Sequence, residues 1–281
     1  MNVLLCGDFD DREESAWRQA LQAAMPEANW LTPDEARADP GAVRAAVVAN
    51  PPPGSLQGLP ALGLIQSLWA GVDRLLSDPT LPAEVPLARM VDPAMSRAMA
   101  ETALWAVLAL QRDFFVYARQ QQQALWRQHP QRRADEFPVL VLGQGEMGGT
   151  ATQALRAAGF PVTGWSRRMG SEALWQALPQ ARVLINLLPL TAETAGLLDR
   201  RCFEALPRGA AVVNLARGRH VVDADLLAAL DAGQLSHAVL DVFRQEPLPA
   251  DHTYWSHPGV TVLPHVAAQT DERSAAAVAV A

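Results

Sequence analysis

Between Pro138 and Pro264 the chain carries six short apolar runs in succession, "VLVLG", "PVTGW", "RVLINLL", "AAVVNLA", "HAVLDVF" and "VTVLP". Runs this short, apolar almost throughout and not alternating, are the pattern of strands buried on both faces, which is how parallel sheets are built. The segments between them read as crossover helices. "DADLLAALDAG" (223–233) begins on an acid and stops at glycine, as a helix of that length should. The rhythm therefore predicts an α/β domain with a doubly wound, mostly parallel sheet.

The first hundred residues repeat the rhythm on a smaller scale. Apolar runs at Val3 to Cys6, Ala46 to Ala49 and Leu62 to Ile65 alternate with polar helical stretches such as Arg12 to Ala24. "NPPPGSLQG" (50–58) is expected as a loop after the second run and "WAGVD" (69–73) as a glycine turn closing the third. Loops at the carboxyl ends of parallel strands are where such folds bind ligands. From about Met95 to Gln123, Met99, Ala103, Ala106, Leu110, Phe114 and Tyr117 recur at helical spacing, which predicts one long helix able to link two domains.

The first of the six runs leads straight into "GQGEMG". Gly143, Gly145 and Gly148 thus follow a strand and open a helix, the context in which a G-x-G-x-x-G turn lets backbone approach a pyrophosphate at a helix N-terminus. A ligand-free tight turn is the alternative. The second run ends in Ser166, Arg167 and Arg168, where a site for NAD usually offers an acid to the ribose hydroxyls. Serine and arginine would instead bind a 2′-phosphate, which points to NADP(H) as the preferred dinucleotide, with NAD(H) possible. Two exposed arginines at a strand end are the plainer alternative.

Composition narrows the rest. With 281 residues, 49% hydrophobic and 19% charged, the chain can bury two ordinary cores. A formal net charge of −7 argues against nucleic acid or an anionic membrane as the main partner, since both call for a basic face. The longest apolar stretch, "ALWAVLAL", is far short of the roughly 20 residues that span a bilayer, and "MNVLLCGDFD" has no basic leader; a cytoplasmic protein is expected. Cys6 and Cys202 are single and distant, which fits neither a disulfide framework nor a metal site. All 23 basic residues are arginine, which removes every mechanism that needs a lysine, including a Tyr-x-x-x-Lys pair.

Proton transfer must then come from elsewhere, and three later runs each end near a suitable residue. "VVNLARGRHV" offers Arg217, "LDVFRQEPLP" offers Asp241 and Glu246, and "TVLPHVAAQT" offers His265. Singly, each has a bland explanation as a surface charge, a turn residue or a loop histidine. At successive strand ends after a nucleotide-type turn, they point to a shared site. His129, His220, His237, His252 and His257 lack that setting and are expected to be surface or structural.

In order and spacing, "GQGEMG", "NLARGRHVV", "LDVFRQEPLP" and "LPHVAAQT" resemble the D-isomer-specific 2-hydroxyacid dehydrogenases. Within that family, "INLLPLTAETAGLL" and "GWSRR" are similar to the glyoxylate/hydroxypyruvate reductase A branch. The resemblance implies a flavodoxin-like substrate domain of residues 1–94 with 266–281, and a Rossmann cofactor domain of residues 95–265, with catalysis in the cleft between them. It implies that Arg217 grips a 2-oxo acid, that His265 is the general acid and that Glu246 orients it. It further implies that backbone N–H groups of Ala70, Gly71 and Val72, beside Trp69, hold the substrate carboxylate. Glu146, Met147, Leu188, Pro189, Ala216 and Asp241 would join the glycines around the cofactor, with Asp241 facing the nicotinamide carboxamide. The expected activity is NADPH-dependent reduction of glyoxylate or hydroxypyruvate by a homodimer that uses the cofactor domain and the helix from about 97 to 118. The alternatives are an NAD-linked dehydrogenase of another D-2-hydroxy acid and a nucleotide-sensing binding protein on the same fold. "SAAAVAVA" is expected as a shortened closing helix over the first domain.

Overall fold

Two portions of the chain, Met1–Ala94 with Thr270–Ala281 and Met95–Gln269, each build their own parallel sheet in the computed structural model, which describes residues 1–281. In the first unit, β1 (Asn2–Gly7), β2 (Asn29–Leu31), β3 (Val43–Ala49), β4 (Leu64–Ser67) and β5 (Leu87–Ala88) lie in the order β2-β1-β3-β4-β5, the flavodoxin-like arrangement. The strands β2 and β5 are only three and two residues long, and neither carries an apolar run that would announce it. The helix Asp11–Ala24 starts at a capping box, in which the Asp10 carboxylate accepts from Glu13 N (2.8 Å) and Glu13 accepts from Asp10 N (3.1 Å). Its Trp17 and Leu21, one turn apart, are buried. Glu272–Val280 is a helix capped by Asp271 that packs against Asp11–Ala24, with Ala275 and Ala276 buried and Ser274 Oγ donating to the buried Asp92 (2.6 Å).

The second unit contains β6 (Val139–Leu142), β7 (Val162–Trp165), β8 (Val183–Asn186), β9 (Ala210–Asn214), β10 (Leu235–Leu240) and β11 (Val260–Val262), ordered β11-β10-β9-β8-β6-β7 and parallel throughout. Alternation within β6 explains why its run is apolar on every residue. Val139 and Val141 point to one side, where Ile185, Val213, Ala103, Val107 and Leu155 complete a core. Leu140 and Leu142 point to the other, where Leu184, Val212, Leu174, Phe203 and Leu226 complete a second. Each fully buried leucine or valine contributes about 1.5–3 kcal/mol of transfer free energy, so polar substitution on either side would be costly.

Val266 to Gln269, expected with the first domain, group with the second unit, because the Asp241 carboxylate accepts from Val266 N (2.7 Å) and Ala267 N (3.0 Å). The single helix expected from Met95 to Gln123 is two helices, Pro93–Gln111 and Phe114–Gln122. Asp113 breaks it by adopting the left-handed region (φ 57°), which aspartate tolerates better than most residues. The break resets the helical phase. Phe114 is therefore exposed, while Phe115 stacks on His237 at 4.3 Å and meets Trp105 edge-on. No helix is long and apolar enough to cross a membrane.

Candidate active site

The sheet order of the second unit reverses between β6 and β8: the chain steps from β6 outward to β7 and then returns to β6's other side. Such a switch point leaves a crevice at the carboxyl ends of the strands. The glycine turn after β6 lies there, and each glycine has a separate reason. Gly143 has φ 93°, and a side chain on it would meet Leu187 O at 2.5 Å. A Cβ on Gly148 would fall 1.7 Å from Gly143 O, so this glycine lets the helix Glu146–Ala157 close onto the turn. Gly145 has ordinary φ and nothing within 4 Å of where a Cβ would stand. Open space above Gly145, beside a helix N-terminus that no side chain caps, fits a pyrophosphate: its oxygens would accept from the first-turn N–H groups. Glu146 and Met147 occupy that first turn.

At the end of β7, Ser166 is partly exposed and Arg167 and Arg168 are exposed. Arg168 makes no ion pair. One terminal nitrogen of Arg167 donates to Glu193 Oε2 (3.0 Å) and reaches Thr191 Oγ1 (3.4 Å) in the turn that follows β8. Leu188, buried, and Pro189, exposed, begin that turn.

The proposed catalytic residues follow the adjacent strands β9, β10 and β11. His265 Nδ1 lies 2.7 Å from Glu246 Oε2, while Glu246 Oε1 accepts from Phe243 N (2.8 Å). The imidazole is half exposed, and its Nδ1 contact leaves Nε2 as the working end. The Glu246 hydrogen bond raises the His265 pKa above its usual value, against burial and against the nearby positive charge of Arg217. Burial opposes ionisation of Glu246, yet its hydrogen bonds from His265 and Phe243 bring its pKa below the usual range. Both shifts run toward the ion-pair form, carboxylate with imidazolium. Arg217, half-buried, donates to Ala216 O (2.7 Å).

Asp241 is 1% exposed, and its polar groups are engaged by the backbone that follows β11. Its carbonyl accepts from His265 N (2.9 Å), and its two carboxylate oxygens accept from Val266 N and Ala267 N. Three successive N–H groups are thus gathered by one residue, which holds His265 at φ 57°. Burial raises the Asp241 pKa, and the two N–H groups oppose that rise.

A buried amide chain that the motifs do not reveal supports the neighbouring turn. Asn186 Nδ2 donates to Asn214 Oδ1 (3.0 Å), and Asn214 Nδ2 donates to Arg217 O (2.9 Å). Both asparagines are 0% exposed at the ends of β8 and β9. Their signal was available: an amide closing an all-apolar run, as in "LIN" and "VVN", requires a buried partner. His220, also fully buried, sits 3.0 Å from Arg217 O and 3.4 Å from Pro189 O, a structural histidine tying two of these turns together. His237 is structural too: burial lowers its pKa to about 4, so it is neutral at pH 7.

In the first unit, the Trp69 ring meets Trp17 edge-on at 6.1 Å, so much of that side chain serves packing. Ala70, Gly71 and Val72 are half-buried, and none of their N–H groups is spent on a main-chain carbonyl.

A parallel sheet with this glycine turn at its switch point and a histidine–carboxylate pair at its other strand ends defines an NAD(P)-dependent oxidoreductase. The chain belongs to the D-isomer-specific 2-hydroxyacid dehydrogenase family, whose NAD-binding domain matches residues 104–267. It is 43% identical over 272 residues to the glyoxylate/hydroxypyruvate reductase A of Salmonella paratyphi B, covering 90% of this chain and 85% of the relative. Among solved structures, a D-isomer-specific 2-hydroxyacid dehydrogenase from Xanthobacter autotrophicus in complex with NADPH and MES is 39% identical with a TM-score of 0.92, covering 98% of this chain and 92% of that one. An NADPH-dependent glyoxylate/hydroxypyruvate reductase from Sinorhizobium meliloti, in complex with NADP and sulfate, is 32% identical with a TM-score of 0.90, over 98% of this chain and 91% of that one.

Proposed function

We propose that the protein reduces a small 2-oxo acid, glyoxylate or hydroxypyruvate, with NADPH. The observation that carries this is the His265–Glu246 pair, 2.7 Å apart with the histidine pKa raised by that contact, set beside Arg217 on the sheet that bears the glycine turn. The named activities of the relatives from Salmonella and Sinorhizobium support the substrate class.

NADPH, when bound, supplies the hydride. The cofactor residues are Gly143, Gly145, Glu146, Met147 and Gly148 at the pyrophosphate, Ser166, Arg167 and Arg168 at the 2′-phosphate, and Leu188, Pro189, Ala216 and Asp241 along the remaining strand ends. Arg217 binds the substrate carboxylate and polarises the keto oxygen, a task suited to a planar guanidinium. N–H groups of Ala70, Gly71 and Val72 add donors to the carboxylate, and Trp69 shapes the pocket. His265 Nε2 delivers a proton to the oxygen as it gains negative charge, and Glu246 stabilises the imidazolium beforehand and orients it. The domains that carry out these roles are residues 1–94 with the C-terminal helix, and the dinucleotide unit. A cytoplasmic homodimer is the proposed assembly.

The test is absorbance loss of NADPH mixed with glyoxylate or hydroxypyruvate and purified protein. Turnover with either acid is expected. Folded protein that binds NADPH but turns over neither would leave a nucleotide-binding role instead.

A further inference from the structure

The roles proposed above leave Glu193 without a task, yet its position is built rather than incidental. Thr194, 1% exposed, donates from Oγ1 to Pro189 O (2.8 Å) and accepts from Thr191 N (2.8 Å), which fixes the turn after β8. Thr191 Oγ1 then donates to Glu193 Oε2 (2.7 Å), and the same oxygen accepts from Arg167 (3.0 Å). Thr191's hydrogen bond keeps the Glu193 pKa below the usual carboxylate range, so the group is anionic at neutral pH.

We propose that Glu193 is a specificity-determining residue: its fixed carboxylate, held against Arg167, opposes a 2′-phosphate at that arginine and so narrows the preference for NADPH over NADH. The proposal rests on Arg167 being the 2′-phosphate ligand. Arg167 presents one nitrogen to Glu193 and Thr191, leaving the rest of its fork for a phosphate. Two anions held on different nitrogens of one guanidinium are on the order of 6 Å apart, inside the ~10 Å screening length of 0.1 M salt.

Two effects of opposite sign compete. Glu193 helps to orient Arg167, but a single exposed contact of this kind is worth only about twofold. A phosphate bearing about two negative charges at that distance is repelled by roughly tenfold in water without salt, and by about threefold once screened at 0.1 M. Repulsion wins for NADPH. NADH lacks the phosphate and is spared this repulsion.

Dissociation constants of NADPH and NADH, read from nicotinamide fluorescence without substrate, test this in Glu193→Gln, Glu193→Asp and Arg167→Ala. Glu193→Gln, which keeps an acceptor for Arg167 but loses the charge, should bind NADPH about 1.5-fold to threefold more tightly at 0.1 M salt, with a larger gain at lower salt, and NADH no more tightly. Glu193→Asp, which keeps the charge, should stay near the parent. The fragments 2′,5′-ADP and 5′-AMP, competed against NADPH, should divide likewise, only the first gaining. If Arg167→Ala leaves NADPH binding unchanged, the phosphate site itself is misplaced. If Arg167→Ala weakens NADPH but Glu193→Gln leaves it the same, weakens it, or tightens NADPH and NADH equally, the role of Glu193 is overturned.

Discussion

His265 occupies a left-handed backbone conformation (φ 57°) that only its surroundings justify, and Asp241 supplies them by binding the three N–H groups that begin at His265. Strain held this way serves to aim a side chain, here toward Glu246 on one nitrogen and outward on the other. Removing the imidazole in His265→Ala should lower the turnover of reduction by the ~10² to 10⁴ typical of a lost general acid while NADPH titrates normally. The charge of Glu246 has a separate signature. Because its hydrogen bond raises the His265 pKa, the imidazolium that reduction needs persists above the usual histidine value and is lost only as pH rises through the raised pKa. Glu246→Gln keeps a hydrogen-bond acceptor without the charge, leaving burial and Arg217 to push the histidine pKa down. The alkaline limb of kcat/KM for reduction should therefore move to lower pH. A limb that does not move would mean that another group sets it.

At the scale of elements, function is a property of strand ends, and the glycine turn shows how separable its parts are. Gly145→Ala meets open space and allowed φ, so the variant should melt no lower than the parent, yet its methyl would stand where the pyrophosphate fits. Cofactor affinity should fall at least tenfold at unchanged Tm, on the order of 1.4 kcal/mol. Gly148→Ala puts a Cβ 1.7 Å from Gly143 O, so stability should fall by about 1–3 kcal/mol or more, visible in the Tm without any ligand. Equal behaviour of the two variants would contradict the separate roles. Asn214→Ala strands the Asn186 amide, which costs about 1–3 kcal/mol when buried unpaired, and removes the donor that ties the end of β9 to the Arg217 carbonyl, so it should raise KM for the 2-oxo acid as the Arg217 turn loosens. These elements also mark what was legible beforehand. Period and burial made the six apolar runs and the glycine turn readable, since a strand covered on both faces has few polar positions. The break at Asp113 was not readable, because helical spacing continues past it and only tertiary packing selects Phe115 over Phe114. Glu193 was not readable either: its partner Arg167 lies 26 positions away, across a turn whose shape the spacing does not encode.

At the scale of the whole molecule, the second unit displays more apolar surface than its core requires. Trp105, Leu108, Phe114, Leu125 and Trp126 are all exposed, and Trp126 is 95% accessible. Scattered apolar side chains on a surface are ordinary, but five bulky ones between positions 105 and 126 concentrate on the helix pair on either side of Asp113 and the segment just after it. Burying one such tryptophan against a partner could contribute about 1.5–3 kcal/mol, enough for several to hold a stable pair. A second copy is the natural occupant under the proposed homodimer, since a two-fold interface presents the same patch from both sides. Light scattering at micromolar concentration should therefore return twice the mass of the chain. Trp126→Arg should shift that equilibrium toward the monomer without lowering NADPH affinity, because the position lies outside the glycine turn and the strand ends. The parent's tryptophan emission, to which Trp126 contributes one of eight indoles, should also move to longer wavelength on dilution by more than that of Trp126→Arg, as the ring passes from a covered site into water. A parent protein that scatters as a single chain, with emission independent of concentration, would remove the homodimer and leave this apolar surface to some other partner.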